Sequence, residues 1–282
     1  MTISYTDVPT LCDAATTLAL GLHFDLALHL LDAAIPEPGD ASGRLRLALA
    51  AADVADRAEM AAGAASADPR FAELDKLVAE HTSDPDLTWD ADWLHLRRAY
   101  SRAVRNPDGS FRVGPDGRSE EDVAALLNHA TRVHDTAPDD VRRGWASVCR
   151  GWITDNVLAE REAAPAWFAA GLAPGRDGDD VLLFEAQRHL GDHAHDDGDL
   201  EDARVRWRES AAAGARAGHV GGTLSQTLLL AVLLRDEGDE GGARAVADVV
   251  DRWASAAGAR GVAAQAEGFL AGVDPTRAPE DE

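Results

Sequence analysis

Hydrophobic residues recur three or four positions apart along nearly the whole chain, from Val8 to about Gly272. This spacing places apolar side chains on one face of an α-helix, and breaks rich in Gly, Pro and Asp separate the segments. Strand-like alternation is almost absent, so the pattern predicts an all-α protein. The predicted helices are 8–21, 24–35, 41–63, 69–81, 87–105, 119–135, 138–157, 161–172, 179–197, 200–217, 222–237, 240–257 and 260–271.

Two segments depart from the helical pattern. The stretch "NPDGSFRVGPDGRS" (106–119) carries Pro-Asp-Gly turn chemistry twice, and it predicts a hairpin or ordered loop inserted at 106–118. This loop is interpreted either as an ordinary insertion or as a lid that contacts a partner. The acidic, Pro-broken end "DPTRAPEDE" predicts a disordered tail over 274–282.

Small residues recur at an interval of 40 residues in successive helices. Two antiparallel helices approach closely only where the contact lacks a large side chain, and a bulky residue one turn later can fill the remaining gap. The small residues are Gly151, Gly191 and Ala231 in first helices and Ala163, Ala203 and Ala243 in second helices. The position four residues after each of these second-helix alanines holds Trp167, Trp207 and Ala247.

The turns between the helices of a pair repeat in the same register. "DDGDLEDA" (196–203) and "DEGDEGGA" (236–243) align residue by residue. Gly198 and Gly238 are predicted to end the first helices, since glycine tolerates a left-handed backbone. Asp199 and Asp239 are predicted to cap the second helices, because their carboxylates can accept hydrogen bonds from free backbone N–H groups.

These segments resemble the tetratricopeptide repeat family. "LGDHAHDDGDLEDARVRW" (190–207) and "LAVLLRDEGDEGGARAVA" (230–247) show its "LG…G…A" spacing in a helix-turn-helix. The 40-residue period is similar to the extended-helix variant found in kinesin light chains and in sensor solenoids of bacterial regulators. The resemblance is clearest over 138–257. It implies a right-handed superhelical solenoid of antiparallel helix pairs, with diverged pairs over 1–137 and typical repeats plus a terminal helix over 138–273.

The resemblance also implies where a ligand binds, because in this family the first helix of each pair lines the concave side. The side chains along one face of each first helix form a stripe, and the successive stripes predict a single groove. Its residues are Trp145, Val148, Trp152, Asp155 and Asn156, then Glu185, Arg188, Asp192, His195 and Asp196, then Ser225, Leu228, Val232, Arg235 and Asp236.

Several groove residues have a second interpretation. Trp145 and Trp152 are either aromatic anchors for a ligand or core residues packed on a neighbouring helix. Arg188 and Arg235 either bind a ligand carboxylate or pair with nearby acidic side chains. A further aromatic stripe is either core or a second wall of the groove, and the core interpretation is favoured. It comprises Trp89, Trp93, Leu96 and Tyr100.

Charge and composition narrow the classes of partner that the protein can bind. Asp and Glu outnumber Lys and Arg by 50 to 27, and the net charge of −23 disfavours nucleic acid and anionic membranes. Lys76 is the only lysine, a usage typical of a GC-rich bacterial genome, and the acidity also fits a saline habitat. Cys12 and Cys149 have no nearby second thiol, which predicts reduced cysteines. Without a signal peptide or a long apolar run, a cytoplasmic protein is expected.

The stretch "HLGDHAHDD" (189–197) raises the question of a metal site. His189 and His193 lie one turn apart, and Glu185 lies one turn earlier, a spacing that can hold zinc. No further ligands recur nearby, so a solvated repeat surface is the favoured interpretation. No metal or cofactor is expected.

The sequence therefore favours a non-catalytic, regulatory binding module that recognises a protein, a peptide or a sensed ligand through its groove. One alternative is a small-molecule-binding or tailoring protein of a bacterial biosynthetic or resistance pathway. Catalysis would then use His195 with Asp192 or Asp196, although no catalytic motif supports an enzyme. Another is a regulatory solenoid that acts through a second protein. Uncapped end helices also make a homodimer a reasonable expectation.

Overall fold

The computed structural model describes residues 7–37, 39–62, 66–80, 84–106 and 110–276. These residues are helical apart from turns and one isolated antiparallel bridge between Arg105 and Phe111, which confirms the all-α prediction. The helices are α1 Val8–Leu20, α2 Phe24–Asp32, α3 Ala41–Ala62, α4 Asp68–Glu80, α5 Pro85–Ala103, α6 Glu120–Asp135, α7 Asp140–Asn156, α8 Ala164–Ala170, α9 Leu172–Gly178, α10 Asp180–Asp196, α11 Leu200–Arg216, α12 Val220–Asp236, α13 Glu240–Ala257 and α14 Arg260–Leu270.

The chain forms two compact units. The N-terminal unit comprises Met1–Ala19 with His23–Pro174, and the C-terminal unit comprises Leu20–Leu22 with Gly175–Glu282. The division predicted near residue 138 lies inside the N-terminal unit. In the C-terminal unit each of the helices α10 to α13 packs on the next one along the chain, as expected for stacked helix pairs.

The turns of the C-terminal unit confirm the predicted caps. Gly198 and Gly238 adopt left-handed backbone conformations, with φ of 82° and 88°. The carboxylate of Asp199 accepts a hydrogen bond from the backbone N–H of Asp202 at 3.1 Å. The Asp239 carboxylate accepts the equivalent bond from Gly242 at 2.8 Å. The same chemistry therefore ends and starts helices at both turns.

Close packing of α10 on α11 depends on Gly191. A Cβ atom at this position would overlap the indole ring of Trp207, which is fully buried. Ala203, Ala243 and Ala247 are also fully buried. The predicted pairing of a small residue with a bulky one is confirmed for this helix pair.

The helix predicted over 161–172 is confirmed only over 164–170, and the repeat register slips there by one residue. A 3₁₀ turn spans Arg161–Ala163 before α8 begins at Ala164, and α9 follows as a separate helix. Phe168 therefore packs on Gly151 in place of Trp167, and Ala164 is buried while Ala163 is exposed. The 3₁₀ turn has about three residues per turn rather than 3.6, which rotates the following side chains relative to a continuous α-helix.

The aromatic stripe of α5 packs against α7 in the N-terminal unit. The rings of Trp93 and Trp145 lie 5.9 Å apart, and those of Tyr100 and Trp152 stack at 5.5 Å. The indole of Trp89 is buried and donates a hydrogen bond to the carbonyl of Val133 at 2.9 Å. The stripe thus belongs to the core, as the sequence favoured.

The inserted loop folds back on the end of α5. The backbone N–H of Arg112 donates to the Val104 carbonyl at 2.9 Å, next to the bridge between Arg105 and Phe111. The Arg118 guanidinium donates to the carbonyls of Gly114 and Arg112, each at 2.8 Å, and to that of Ala103. Residues 107–109 of the predicted loop and 277–282 of the predicted tail lie outside the described residues, as do the predicted helix ends at 63 and 81.

Candidate functional site

The groove residues predicted on α7 serve mainly as packing contacts within the N-terminal unit. Val148 and Trp152 are buried and offer little surface to a ligand, whereas Trp145, Asp155 and Asn156 are half-buried. The Asn156 side chain donates a hydrogen bond to the Tyr100 hydroxyl at 2.9 Å. The aromatic side chains of this stripe therefore face α5.

The residues predicted in the C-terminal unit converge on one cavity of about 230 Å³, which we name the C-terminal pocket. Helices α10, α12 and α14, each the first helix of a pair or of the terminal repeat, contribute to it together with Trp207 of α11. Six of its lining residues are predicted groove residues, namely Arg188, Asp192, His195, Asp196, Ser225 and Leu228. The other lining residues are Trp207, Leu229, Gln265, Pro275 and Thr276.

One residue that the sequence analysis missed follows the same repeat. Gln265 on α14 comes 40 residues after Ser225, which itself comes 40 residues after Glu185. Extending the period by one more step would have found it. Pro275 and Thr276 carry no such signal, because they follow the last helix and reach the pocket only through the path of the chain.

The remaining predicted residues of this unit lie outside the cavity lining. Val232 is buried in the core. Arg235 pairs with Glu240 at 2.8 Å and lies over the ring of Phe269 at 3.5 Å, so its intramolecular interpretation holds. Asp236 contacts His195, one of the lining residues, and Glu185 interacts with His189.

His195 is held from several sides. Its Nε2 lies 3.0 Å from the Asp236 carboxylate, and its Nδ1 lies 3.6 Å from Asp196. The imidazole ring also packs on the Trp207 indole, with centroids 5.2 Å apart. The indole N–H of Trp207 donates to Asp192 at 2.9 Å. Asp192 thus accepts a hydrogen bond from Trp207 while it lines the pocket, and the carboxylate nearest to His195 belongs to Asp236, on the next first helix.

Arg188 is the cation of the C-terminal pocket. Its Nε atom is buried and has no hydrogen-bond partner among the described residues. A buried N–H without an acceptor is costly to the fold. The pocket therefore combines one guanidinium with the carboxylates of Asp192 and Asp196 and the imidazole of His195.

The pKa of Glu185, one turn before Arg188, is lowered to about 2. Burial alone would raise this pKa, but the hydrogen bond with His189 and the positive charges of Arg188, His189 and His219 outweigh the burial. Since the pKa is lower in the folded state, the ionised Glu185 stabilises the fold above its unfolded value near 4.5. This contribution is lost as the pH falls toward 2.

We expect Glu185→Gln to make the C-terminal unit less sensitive to acid. Urea unfolding at about pH 5 and at about pH 2.5 measures the loss of stability on acidification, which should be smaller in the variant than in the parent. The exposed Glu267 on α14 supplies the control, because Glu267→Gln should leave that loss unchanged. Equal acid sensitivity of the parent and of Glu185→Gln would contradict the assigned role of Glu185.

The histidine-rich segment of α10 makes contacts with acidic side chains and with the core. His189 lies 3.6 Å from Glu185 and 3.9 Å from Asp192, while His193 is buried. In the described ranges, no group of three or more His, Cys, Asp and Glu side chains is placed to hold a metal ion. None of the helices in those ranges combines the length and hydropathy that a bilayer span requires.

The comparisons with known proteins concern the arrangement of helices. No family model matches the sequence, and no curated protein matches it. Among solved structures, the chain is similar to a Rap protein crystallised in complex with competence and sporulation factor. The two are 13% identical, with a TM-score of 0.49, and the match covers 93% of this chain and 81% of the Rap chain.

Proposed function

We propose that the protein is a non-catalytic binding module that recognises a peptide segment through the C-terminal pocket. The observation that carries this proposal is the convergence of α10, α12 and α14 on one cavity with polar lining. Side chains from three successive first helices meet there because they share one register of the repeat. Such a surface, preformed on rigid helices, suits binding without a large ordering cost.

The size of the pocket favours a side chain of a larger partner over a whole small molecule. Its volume of about 230 Å³ lies below the range of roughly 300–1,000 Å³ typical of small-molecule sites. One long side chain with its neighbouring backbone fills this space. The partner is therefore a peptide or a protein loop that inserts one residue.

The charges favour a basic side chain at that position. Asp192 and Asp196 supply two carboxylates, and the whole chain carries a net charge of −23, which attracts cationic partners and speeds their association. The guanidinium of Arg188 lines the pocket and can donate to a backbone carbonyl next to the inserted residue. A lysine or arginine side chain would pair with the carboxylates, and the backbone carbonyl next to it would accept a hydrogen bond from Arg188.

Two neighbouring aspartates provide a matched test of the pocket. Asp196 lines it, and Asp197 does not, although both are exposed at the end of α10. An array of fluorescein-labelled hexapeptides, each with one lysine or arginine among neutral residues, supplies the probes for fluorescence anisotropy. We expect micromolar binding of a subset of the basic peptides by the parent. Asp196→Lys should weaken it by about tenfold or more, since it replaces attraction by repulsion, and Asp197→Lys by less than about threefold.

Two results would overturn the proposal. One is the absence of binding by any basic peptide, and the other is an equal loss in the two aspartate variants, which would indicate attraction by net charge alone. A second series replaces the basic residue of each bound peptide by norleucine. Retained affinity in this series would contradict the insertion of a basic side chain.

A further inference from the structure

A second cavity, in the N-terminal unit, concentrates positive charge on an acidic protein. It measures about 500 Å³ and lies between the end of α5, the inserted loop and the start of α6. We name it the arginine pocket. Its lining includes Arg102, Arg105, Arg112 and Arg118, and Asp122 is its one carboxylate among the described lining residues. This balance opposes that of the whole chain, where acidic residues outnumber basic ones by 50 to 27.

The fold holds these guanidinium groups together. Arg118 uses three N–H groups on the carbonyls of Ala103, Gly114 and Arg112, which fixes it between α5 and the loop. Arg105 donates to the carbonyl of Met60 at 3.2 Å. The carbonyls that accept these bonds are neutral and leave the positive charges of Arg105 and Arg118 in place, whereas Arg102 is paired with the Asp68 carboxylate.

Arg112 has the clearest unused donor. Its Nε atom is buried and has no hydrogen-bond partner within the described part of the chain. Burial and the nearby positive charge of Arg112 both lower the pKa of Arg118, and the two guanidinium groups line the same cavity. An anion beside them would offset both positive charges, and Arg112 could donate a hydrogen bond to it.

The rest of the lining is apolar and can hold an organic group. The small and aliphatic side chains of Ala99, Ala103, Val123, Leu126 and Val157 line the same cavity. The volume of about 500 Å³ lies within the range of roughly 300–1,000 Å³ that small-molecule sites occupy. Positive charge and apolar surface in the lining of one cavity together match an amphipathic anion.

We propose that the arginine pocket binds a phosphate monoester with an apolar or aromatic group, and that Arg105 and Arg112 bind the phosphate beside Arg118. A phosphate monoester carries nearly two negative charges at neutral pH and several acceptor oxygens, which suits several guanidinium groups better than a single carboxylate does. This site belongs to the N-terminal unit, and its proposal does not depend on the peptide-binding function of the C-terminal pocket.

The test uses the full chain and isothermal titration calorimetry in a phosphate-free buffer of constant ionic strength. The probes are phenyl phosphate, inorganic phosphate, phenyl sulfate and benzoate. We expect phenyl phosphate to bind most tightly, because only this probe fills both parts of the pocket with a doubly charged group. Inorganic phosphate should bind more weakly and in competition with it, and the two singly charged probes should bind more weakly than phenyl phosphate.

Two substitutions should move the affinity in opposite directions. Arg112→Gln should weaken phenyl phosphate binding by about tenfold or more, since a charge-assisted hydrogen bond is lost. Asp122→Asn should strengthen it, because the one carboxylate of the described lining becomes neutral. The control is Arg252→Gln, which makes the same charge change at an exposed position on α13 and should leave the affinity unchanged. Circular dichroism checks that each variant keeps its helix content.

Three outcomes would overturn the proposal. The first is no detectable binding of phenyl phosphate by the parent at millimolar concentration. The second is an equal loss of affinity in Arg112→Gln and Arg252→Gln, which would indicate diffuse attraction by charge. The third is binding of benzoate or phenyl sulfate as tightly as phenyl phosphate, which would refute selectivity for a phosphate.

Discussion

Replacing Trp207 by alanine is expected to lower the free energy of unfolding of the C-terminal unit by about 3–5 kcal/mol. The indole is fully buried between α10 and α11, where Gly191 allows its close approach. The substitution leaves a cavity, removes the hydrogen bond to Asp192 and takes away the ring on which His195 packs. Hydrogen exchange of the α10 and α11 amides, combined with urea unfolding, measures the effect.

Trp253 on α13 is the matched control, because it has the same side chain with 67% of its surface exposed. Trp253→Ala should cost less than about 0.5 kcal/mol, as is usual for surface positions. Similar costs for the two tryptophan variants would contradict the assigned contact between α10 and α11. The Trp207 variant should also lose peptide binding at the C-terminal pocket, since the indole is part of its lining.

The second large effect is expected for Asp56→Ala in the N-terminal unit, at about 3–5 kcal/mol. Asp56 is buried on α3, and its carboxylate lies 2.9 Å from Arg98 and 3.0 Å from Arg97, both on α5. Removing this carboxylate leaves two guanidinium groups with less compensating charge in a site that water hardly reaches. Chemical unfolding followed by circular dichroism measures the loss.

Exposed Asp135 at the end of α6 provides the comparison for this substitution. Asp135→Ala removes a carboxylate with 68% of its side chain exposed and should change the stability by less than about 0.5 kcal/mol. A cost for Asp56→Ala within experimental error of that value would show that the buried ion pairs do not stabilise the contact of α3 with α5.

The sequence predicted local structure well because short-range rules determine it. Turn chemistry placed the caps at Gly198, Asp199, Gly238 and Asp239, and each is found there. The break in the helix predicted over 161–172 has a local cause that the pattern does not reveal. Ala159 adopts a left-handed backbone with φ of 55°, which is unusual for alanine, and the 3₁₀ turn follows it.

The residues of the candidate sites were likewise predicted only in part from the sequence. The 40-residue period brought six predicted residues to the C-terminal pocket, because residues in one register of a repeat meet on one side of the stack. The period does not specify how far each helix is rotated toward its neighbours. Val148, Trp152 and Val232 therefore share the stripes but are buried in the core.

The sequence by itself determined the helices, their caps and the repeat, since these depend on residues within a few turns of each other. Only the tertiary structure decided which stripe residues reach solvent and how the ion pairs of α3 with α5 form. The arginine pocket also forms only in the tertiary structure, because Arg102 and Arg118 come together when the inserted loop folds back on α5. Contacts of this kind depend on the path of the backbone through space, and no spacing along the chain encodes that path.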